Sequence, residues 1–471
     1  MANNRIGGPV LTEQLHIVAA SGGRGSVALA SALKFSMSSV GYTEKEFILT
    51  GSAASYASQE NNSLGVDGKW AVEKNDSAAY TTRAIVYRPI DEAEFNGTVI
   101  VEWMNVTSGS DSSPVWIYTH NELIREGYVL ISLSVQAAGI ASTQRMDSER
   151  YSELLHPGDN YSYDIFSQVG QAVRTQADVL LEGLCPERVI AAGESQSAYR
   201  LVTYLNAIHL LKPVYDGYLL QSRPAKGAPL AILDDVAGAT QVRADLGVPV
   251  LVFQTETDIN PVTRQADTAT YRLWEVAGTA HFDAYGGGLG LLDVGDVEGA
   301  ASVLYALRNP PATVFGFICC NKAINAGPMT FVLSAALHAL NEWIKTGLAP
   351  CSVEQLQATN FTLYNPCILR DELGNARGGI RTPFVEVPLA ALAGTGNSGS
   401  QDFCMFFGTT EPYTPARLYA LYPNSKSFLE KWSKATTLAM EQGVIRPADA
   451  KRLIAAVEKL EDDIYGLPPL R

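Results

Sequence analysis

Cysteine is scarce in this chain of 471 residues, and none of the six, at 185, 319, 320, 351, 367 and 404, forms a Cys-x-x-Cys pair. That excludes a zinc ribbon and a thioredoxin-like redox motif. Five of the six fall after position 318, where a disulfide would imply export. A reduced, cytoplasmic protein is the simpler reading. No uninterrupted apolar run is long enough to cross a bilayer, and the stretch Met1 to Gly8 lacks the long apolar segment of a secretory signal. Basic side chains are outnumbered, 35 Lys and Arg against 49 Asp and Glu, and nowhere run together. A net charge of −14 disfavours nucleic acid and anionic membranes as partners. What is plentiful is core: 46% apolar against 18% charged residues is globular composition, long enough for a large domain with additions. The oligomeric state stays open.

Strand and helix patterns alternate along the chain. Thr82 to Pro89 reads as a strand, preceded by a Ser- and Ala-rich surface hairpin and loop over 51–62. Thr98 to Asn105 reads as a largely apolar strand, as in a parallel sheet covered on both faces. A helix over Val115 to Glu126 is closed by Gly127, and Tyr128 to Leu133 is the next buried strand. After a long polar loop over 139–163, Asp164 to Leu184 is a helix. Further strands are expected at Tyr215 to Leu220, Val248 to Phe253 and Tyr271 to Val276. The fold class is therefore α/β, a doubly wound, mostly parallel sheet. Thr330 to Thr346 carries a helical apolar face ended by Gly347. Gly378 to Pro388 reads as extended, and helices follow over Ser425 to Gln442 and Pro447 to Tyr465. A division at 347 is expected, with a mainly helical extension over 348–471 packed on the core or capping its mouth.

The rhythm centres on Glu187 to Arg200, where the run Val189-Ile190-Ala191-Ala192 ends in Gly193-Glu194-Ser195-Gln196-Ser197 and opens an amphipathic helix. A serine at so sharp a turn stands clear of the sheet, with the next N–H groups aimed toward it. This resembles the nucleophile elbow of the alpha/beta-hydrolase superfamily, with Ser197 in place of the second glycine. Serine needs a base, and the base an acid, which in that superfamily follow in the order Ser, acid, His. Of the six histidines, only His281 lies in a loop just past a sheet strand and after the elbow. Asp258 follows the strand Val248 to Phe253 in a segment with Thr255 at the family's glycine position, and Glu256 is its rival. Oxyanion donors are expected from the N–H of Gln196 and from Asn105, Val106 or Thr107 after the strand ending at Trp103. Trp103, Trp116 and Phe282 are candidate pocket residues, with ordinary core packing an equal reading for the two tryptophans.

Other features attract weaker readings. Gly286-Gly287-Gly288-Leu289-Gly290 opens no crossover helix, so a mobile loop beside the site fits it better than a phosphate loop. Asp293, Asp296 and Glu298 read as solvated loop acids, and no metal or other cofactor is implied. Arg150-Tyr151, His156-Pro157-Gly158-Asp159, Tyr204-Leu205-Asn206-Ala207, Trp274 to Gly278 and Gly378 to Pro383 extend the likeness to a bacterial branch of alpha/beta-hydrolase domain proteins. The resemblance implies hydrolysis of a small-molecule carboxylic ester through an acyl-enzyme. The alternatives are an acyltransferase or cyclase using the same residues, and an inactive ligand-binding protein on the same fold.

Overall fold

The computed structural model describes residues 14–59, 64–231, 236–360 and 366–459. They divide into two units, one of residues up to 32, 36–116 and 123–250, the other of 33–35, 117–122 and those from 251 onward. The late helices are tied to the rest of the second unit. Arg452 grips Asp293 through two bonds of 2.8 and 2.9 Å, and Arg446 reaches Glu122 at 2.8 Å, all within the second unit.

In the first unit β1 (His16–Ala19), β2 (Tyr42–Ser58) and β3 (Val72–Pro89) form an antiparallel meander. The stretch expected as a surface hairpin and loop is strand as far as Ser58, paired with β3 and largely buried, while 60–63 lie outside the described residues. Its small residues bury against a helix, where Asp164 accepts the Ala54 N–H and the Tyr56 hydroxyl, each at 2.8 Å. β4 (Thr98–Trp103) and β5 (Val129–Leu133) have every residue buried, as largely apolar runs in a covered sheet should. Between them runs α1 (Pro114–Arg125). The expected loop over 139–163 is largely ordered instead: α2 (Ala137–Met146) occupies its first part. The helix expected over 164–184 is two, α3 (Ser162–Thr175) and α4 (Ala177–Leu180). β6 (Arg188–Glu194), α5 (Gln196–Thr203) and β7 (Gly217–Gln221) complete the series.

β4 pairs in parallel with β5 on one side and β6 on the other, and β6 with β7. The winding therefore reverses at β4, and ligands of such sheets bind outside the carboxyl ends of the strands at that reversal. The Tyr218 N–H donates to Pro249 at 3.0 Å, which brings in β8 (Val250–Thr255), and β9 (Tyr271–Val276) lies beside β8. The order is β1-β2-β3-β5-β4-β6-β7-β8-β9, a nine-stranded sheet parallel through its middle.

The second unit continues with α6 (Val297–Arg308), the short hairpin β10 (Thr313–Val314) and β11 (Ile318–Cys319), and α7 (Met329–Thr346), closed by Gly347 at φ 77°. Beyond it lie β12 (Ala358–Asn360), β13 (Cys367–Ile368), α8 (Pro383–Glu386), β14 (Ala390–Ala393) and β15 (Thr409–Pro412). α8 replaces part of the extended segment expected over 378–388. Then come α9 (Pro415–Leu421), α10 (Ser425–Glu441) and α11 (Pro447–Lys459). The tail expected to prolong α11 to Tyr465 lies outside the described residues, as do Met1 to Gly8. Cys320 and Cys404 form a disulfide, correcting the all-thiol reading for that pair, and the other four cysteines are free and exposed. No helix among the described residues is long and apolar enough to cross a membrane.

Candidate active site

Ser195 sits between β6 and α5 with φ 55° and ψ −113°, a strained conformation for a residue with a side chain. The turn is held from both ends: the Ser195 N–H donates to Gln221 at 2.9 Å, and the Tyr199 N–H donates to the Ser195 carbonyl at 2.9 Å. A Cβ at Gly193 would lie 2.9 Å from Leu201 Cδ1 and 3.0 Å from Ser197 Cβ. Glycine at 193 and a small residue at 197 therefore let α5 approach β6 so closely, and the fully buried Ser197 satisfies that need.

The loop after β4 is fastened to this turn. Asn105 Nδ2 donates to the Glu194 carbonyl at 3.1 Å and to its carboxylate at 2.9 Å. The Asn105 N–H is spent on Ser112 at 2.9 Å, and the Thr107 N–H on Asn105 Oδ1 at 2.8 Å. That removes Asn105 as a backbone oxyanion donor, whereas the Val106 N–H has no such partner among the described residues. Glu102, at the neighbouring strand end, accepts the Val115 and Trp116 N–H groups at 2.8 and 3.3 Å. Burial nevertheless pushes its carboxyl up to about 8, and the nearby charge of Glu194 adds to this.

The second unit holds the acid and base candidates. Asp258 Oδ1 lies 2.5 Å from His281 Nδ1, and its other oxygen accepts the Thr255 hydroxyl. Thr257 Oγ1 accepts the His281 N–H at 3.0 Å and donates to the Gly394 carbonyl, fixing the backbone under the ring. The Phe406 ring lies 5.0 Å from the imidazole. Glu256 points elsewhere: fully buried, it accepts the Gly278 N–H at 2.6 Å, the Gly394 N–H at 3.0 Å and Arg370 at 2.8 Å.

His120, His156, His209 and His338 contact other groups. His120 Nδ1 and Nε2 face the Ile117 and Asp293 carbonyls, and His156 Nε2 faces Val135. Burial pulls His209 down to about 4 beside the Tyr218 hydroxyl. His338 lies 3.5 Å from Glu122, whose same oxygen takes Arg446.

The two tryptophans are core, not pocket wall. Trp103 has no solvent exposure and bonds Gln136 at 3.1 Å, and the equally buried Trp116 stacks on Tyr87 at 4.3 Å. Phe282 is half-buried, edge-on to Tyr118 and close to Phe315 and Phe407. Within the glycine run after it, a Cβ at Gly286 would meet Tyr118 Oη at 2.3 Å, whereas one at Gly288 would meet nothing within 4 Å. The expected solvated acids are partnered too, with Asp293 on Arg452, Glu298 on Lys459 and Asp296 capping α6.

Sequence reasoning missed Glu194, Thr257 and Phe406. Glu194 and Thr257 each stand beside a residue that was chosen, so adjacency was their only mark. Phe406 had none, its partner being far along the chain.

The profile of the Alpha/beta hydrolase domain family matches residues 10–455. Among solved structures, the methylesterase BT1017 is 14% identical with a TM-score of 0.30, over 53% of this chain and 46% of that one, about half its length. XC6422 from Xanthomonas campestris, an a/b serine hydrolase without lid, is 12% identical with a TM-score of 0.27, over 58% and 88% of the two chains. The esterase Est22 is 14% identical with a TM-score of 0.27, over 46% and 65%. No curated protein matches the sequence. With the family profile running from before the first strand into the last helix, the chain belongs to the alpha/beta hydrolase domain family.

Proposed function

We propose that this chain is a serine hydrolase that cleaves a carboxylic ester through an acyl-enzyme, with Ser195 as nucleophile, His281 as base and Asp258 as acid. The observation that carries this reading is the 2.5 Å pairing of Asp258 with His281 Nδ1, in a chain whose one elbow serine is held in a strained turn. A carboxylate on Nδ1 keeps that nitrogen protonated and leaves Nε2 with its lone pair, ready to take a proton. Ser195 Oγ bonds to the ester carbon as its proton passes to His281. The N–H groups of Gln196 and Val106 hold the oxyanion, in place of the Asn105 N–H that Ser112 occupies. The tetrahedral species collapses, the carbon–alkoxy bond breaks, and His281 gives the proton to the leaving alcohol. Water, deprotonated by His281, then releases the acid and restores Ser195. The substrate is a small-molecule ester, and the disulfide supports an oxidising compartment rather than the cytoplasm.

Ser195→Ala tests the assignment. The wild-type chain should be labelled by a fluorophosphonate and turn over an ester, and the variant should do neither while melting like the parent. Undiminished turnover by the variant would sink it.

A further inference from the structure

Beside His281, the second unit carries a group of exposed aromatic side chains that the hydrolytic chemistry leaves without a task. Phe315 and Phe317 are 53% and 66% exposed. They flank Gly316 at the tip of the hairpin β10–β11, with their rings 6.2 Å apart and 28° from parallel. Phe315 packs 5.9 Å from Phe282, the residue after His281, and Phe282 packs 5.8 Å from Phe407. Phe406, next in chain to Phe407, faces the imidazole at 5.0 Å. The aromatic surface thus runs from the base out to the hairpin tip.

The tip is also built against local preference. The Phe317 N–H donates to Val314 at 3.2 Å, closing a two-residue turn whose central residues are Phe315 at φ 53° and Gly316 at φ 79°. A turn with both central residues left-handed favours Asn-Gly, and a bulky side chain at its first position is strained. A hairpin needed only for folding has no use for two exposed phenyl rings there. Strain that persists beside a candidate site is a reason to look for a task. The base of the hairpin is anchored as well: Cys320, just past β11, is disulfide-bonded to Cys404, and the Asn321 N–H donates to Ser398 at 2.7 Å. Phe403 and Met405, either side of that cysteine, are 38% and 37% exposed.

We propose that Phe315 and Phe317 form a platform that binds an aromatic ring of the ester, making aryl esters the preferred substrate class. This rests on the serine hydrolase reading above and extends it to specificity. The two rings offer faces on which a planar group stacks, and the platform is stapled in place rather than ordered by the ligand, so little freedom is lost on binding.

The test compares kcat/KM for methyl acetate, methyl 2-naphthoate and 2-naphthyl acetate in the wild type, Phe317→Ala, Phe315→Asn and the double variant. Asparagine suits the left-handed turn, so Phe315→Asn should melt no lower than the parent even as it loses a ring. The preference for at least one naphthyl ester over methyl acetate should fall about two- to tenfold per ring removed. An unchanged ratio overturns the platform. So does loss of all three activities with a lowered melting temperature, which would make the hairpin merely structural. Binding separates this result from failure of the serine hydrolase reading. Calorimetry of 2-naphthyl acetate on Ser195→Ala, with and without the two phenylalanines, should show about four- to hundredfold weakening in the chain lacking them. Equal affinity of the two chains would overturn the platform whatever the wild type hydrolyses.

Discussion

Exchanging Asp258 and Glu256 one at a time should separate chemistry from bracing. In Asp258→Asn the amide can accept from His281 only through its oxygen. If its nitrogen faces Nδ1, the imidazole must shift its proton to Nε2, where the base needs a lone pair. An exchange of this kind in a serine triad lowers kcat by about 10^4, and a fall of about 10^3–10^4 is expected here. Stability should move little, because asparagine keeps an acceptor for the Thr255 hydroxyl, and one altered hydrogen bond costs about 1 kcal/mol. Glu256→Gln should do the reverse. Neutralising one partner of a buried pair costs about 3–5 kcal/mol. The 27% exposure of Arg370 and the acceptor that glutamine retains reduce this to about 2–3 kcal/mol. For a cooperative unit of this size that is a drop of roughly 5–10 °C in melting temperature. Residual activity should fall far less than in Asp258→Asn. The assays are ester turnover under saturating substrate and thermal unfolding by circular dichroism, run on both variants together. Asp258→Asn keeping activity within tenfold of wild type, or Glu256→Gln dead yet unshifted in melting, would refute the division.

Two further outcomes follow from the packing. Gly193→Ala puts a methyl 3.2 Å from the Ser197 backbone as well as against two side chains, so α5 must move. A cost of about 1–3 kcal/mol and at least a roughly tenfold loss of kcat are expected, read by melting and turnover, and a fully active variant would show that the elbow tolerates the shift. Burial pushes the Asp283 carboxyl up to about 7, above its ordinary value of 3.8, even though it takes the Tyr118 hydroxyl and the Tyr285 and Gly286 N–H groups. The folded state therefore holds a proton that the unfolded chain releases, and stability falls as pH rises from about 4 to about 7, with a limiting slope of about 1.4 kcal/mol per unit. Asp283→Asn should remove that slope, so its melting temperature gains on the wild type across this window, and parallel curves would contradict the assignment.

The parts of the molecule legible in the sequence are those where local pattern and burial agree. β9 runs Tyr271–Val276 as its apolar run predicts, and α7 starts one residue before the periodic stretch and ends at the same threonine. The sharp strand-to-helix turn at Ser195 was legible because its backbone demands small residues on both sides. β2 was not, since Ser and Ala at 52–55 lack the bulk that marks a strand, and their burial comes from residues more than a hundred positions away, such as Asp164. α2 hid because Ala137 to Met146 has a weak apolar face and no side-chain cap. Trp103 and Trp116, for which pocket and core readings stood level, are both fully buried, and size and position say nothing about which way a ring turns.

The two carboxylates after β8 show what register alone leaves undetermined. In an extended strand residues 256 and 258 would share one face, and either could meet the imidazole. Instead the Asp258 N–H donates to the Thr255 carbonyl at 3.1 Å, and that turn sends the two side chains to different partners. Glu256 goes to the N–H groups of Gly278 and Gly394, tying the start of the His281 loop to a segment over a hundred residues downstream. Asp258 goes to the ring itself. A glycine or alanine at 257 would make the same turn, but it would lose the hydroxyl that holds the His281 backbone. The spacing of the Asp258 carboxylate and the His281 ring therefore draws on Thr257, flanked by the two carboxylates, as well as on the strand that precedes it.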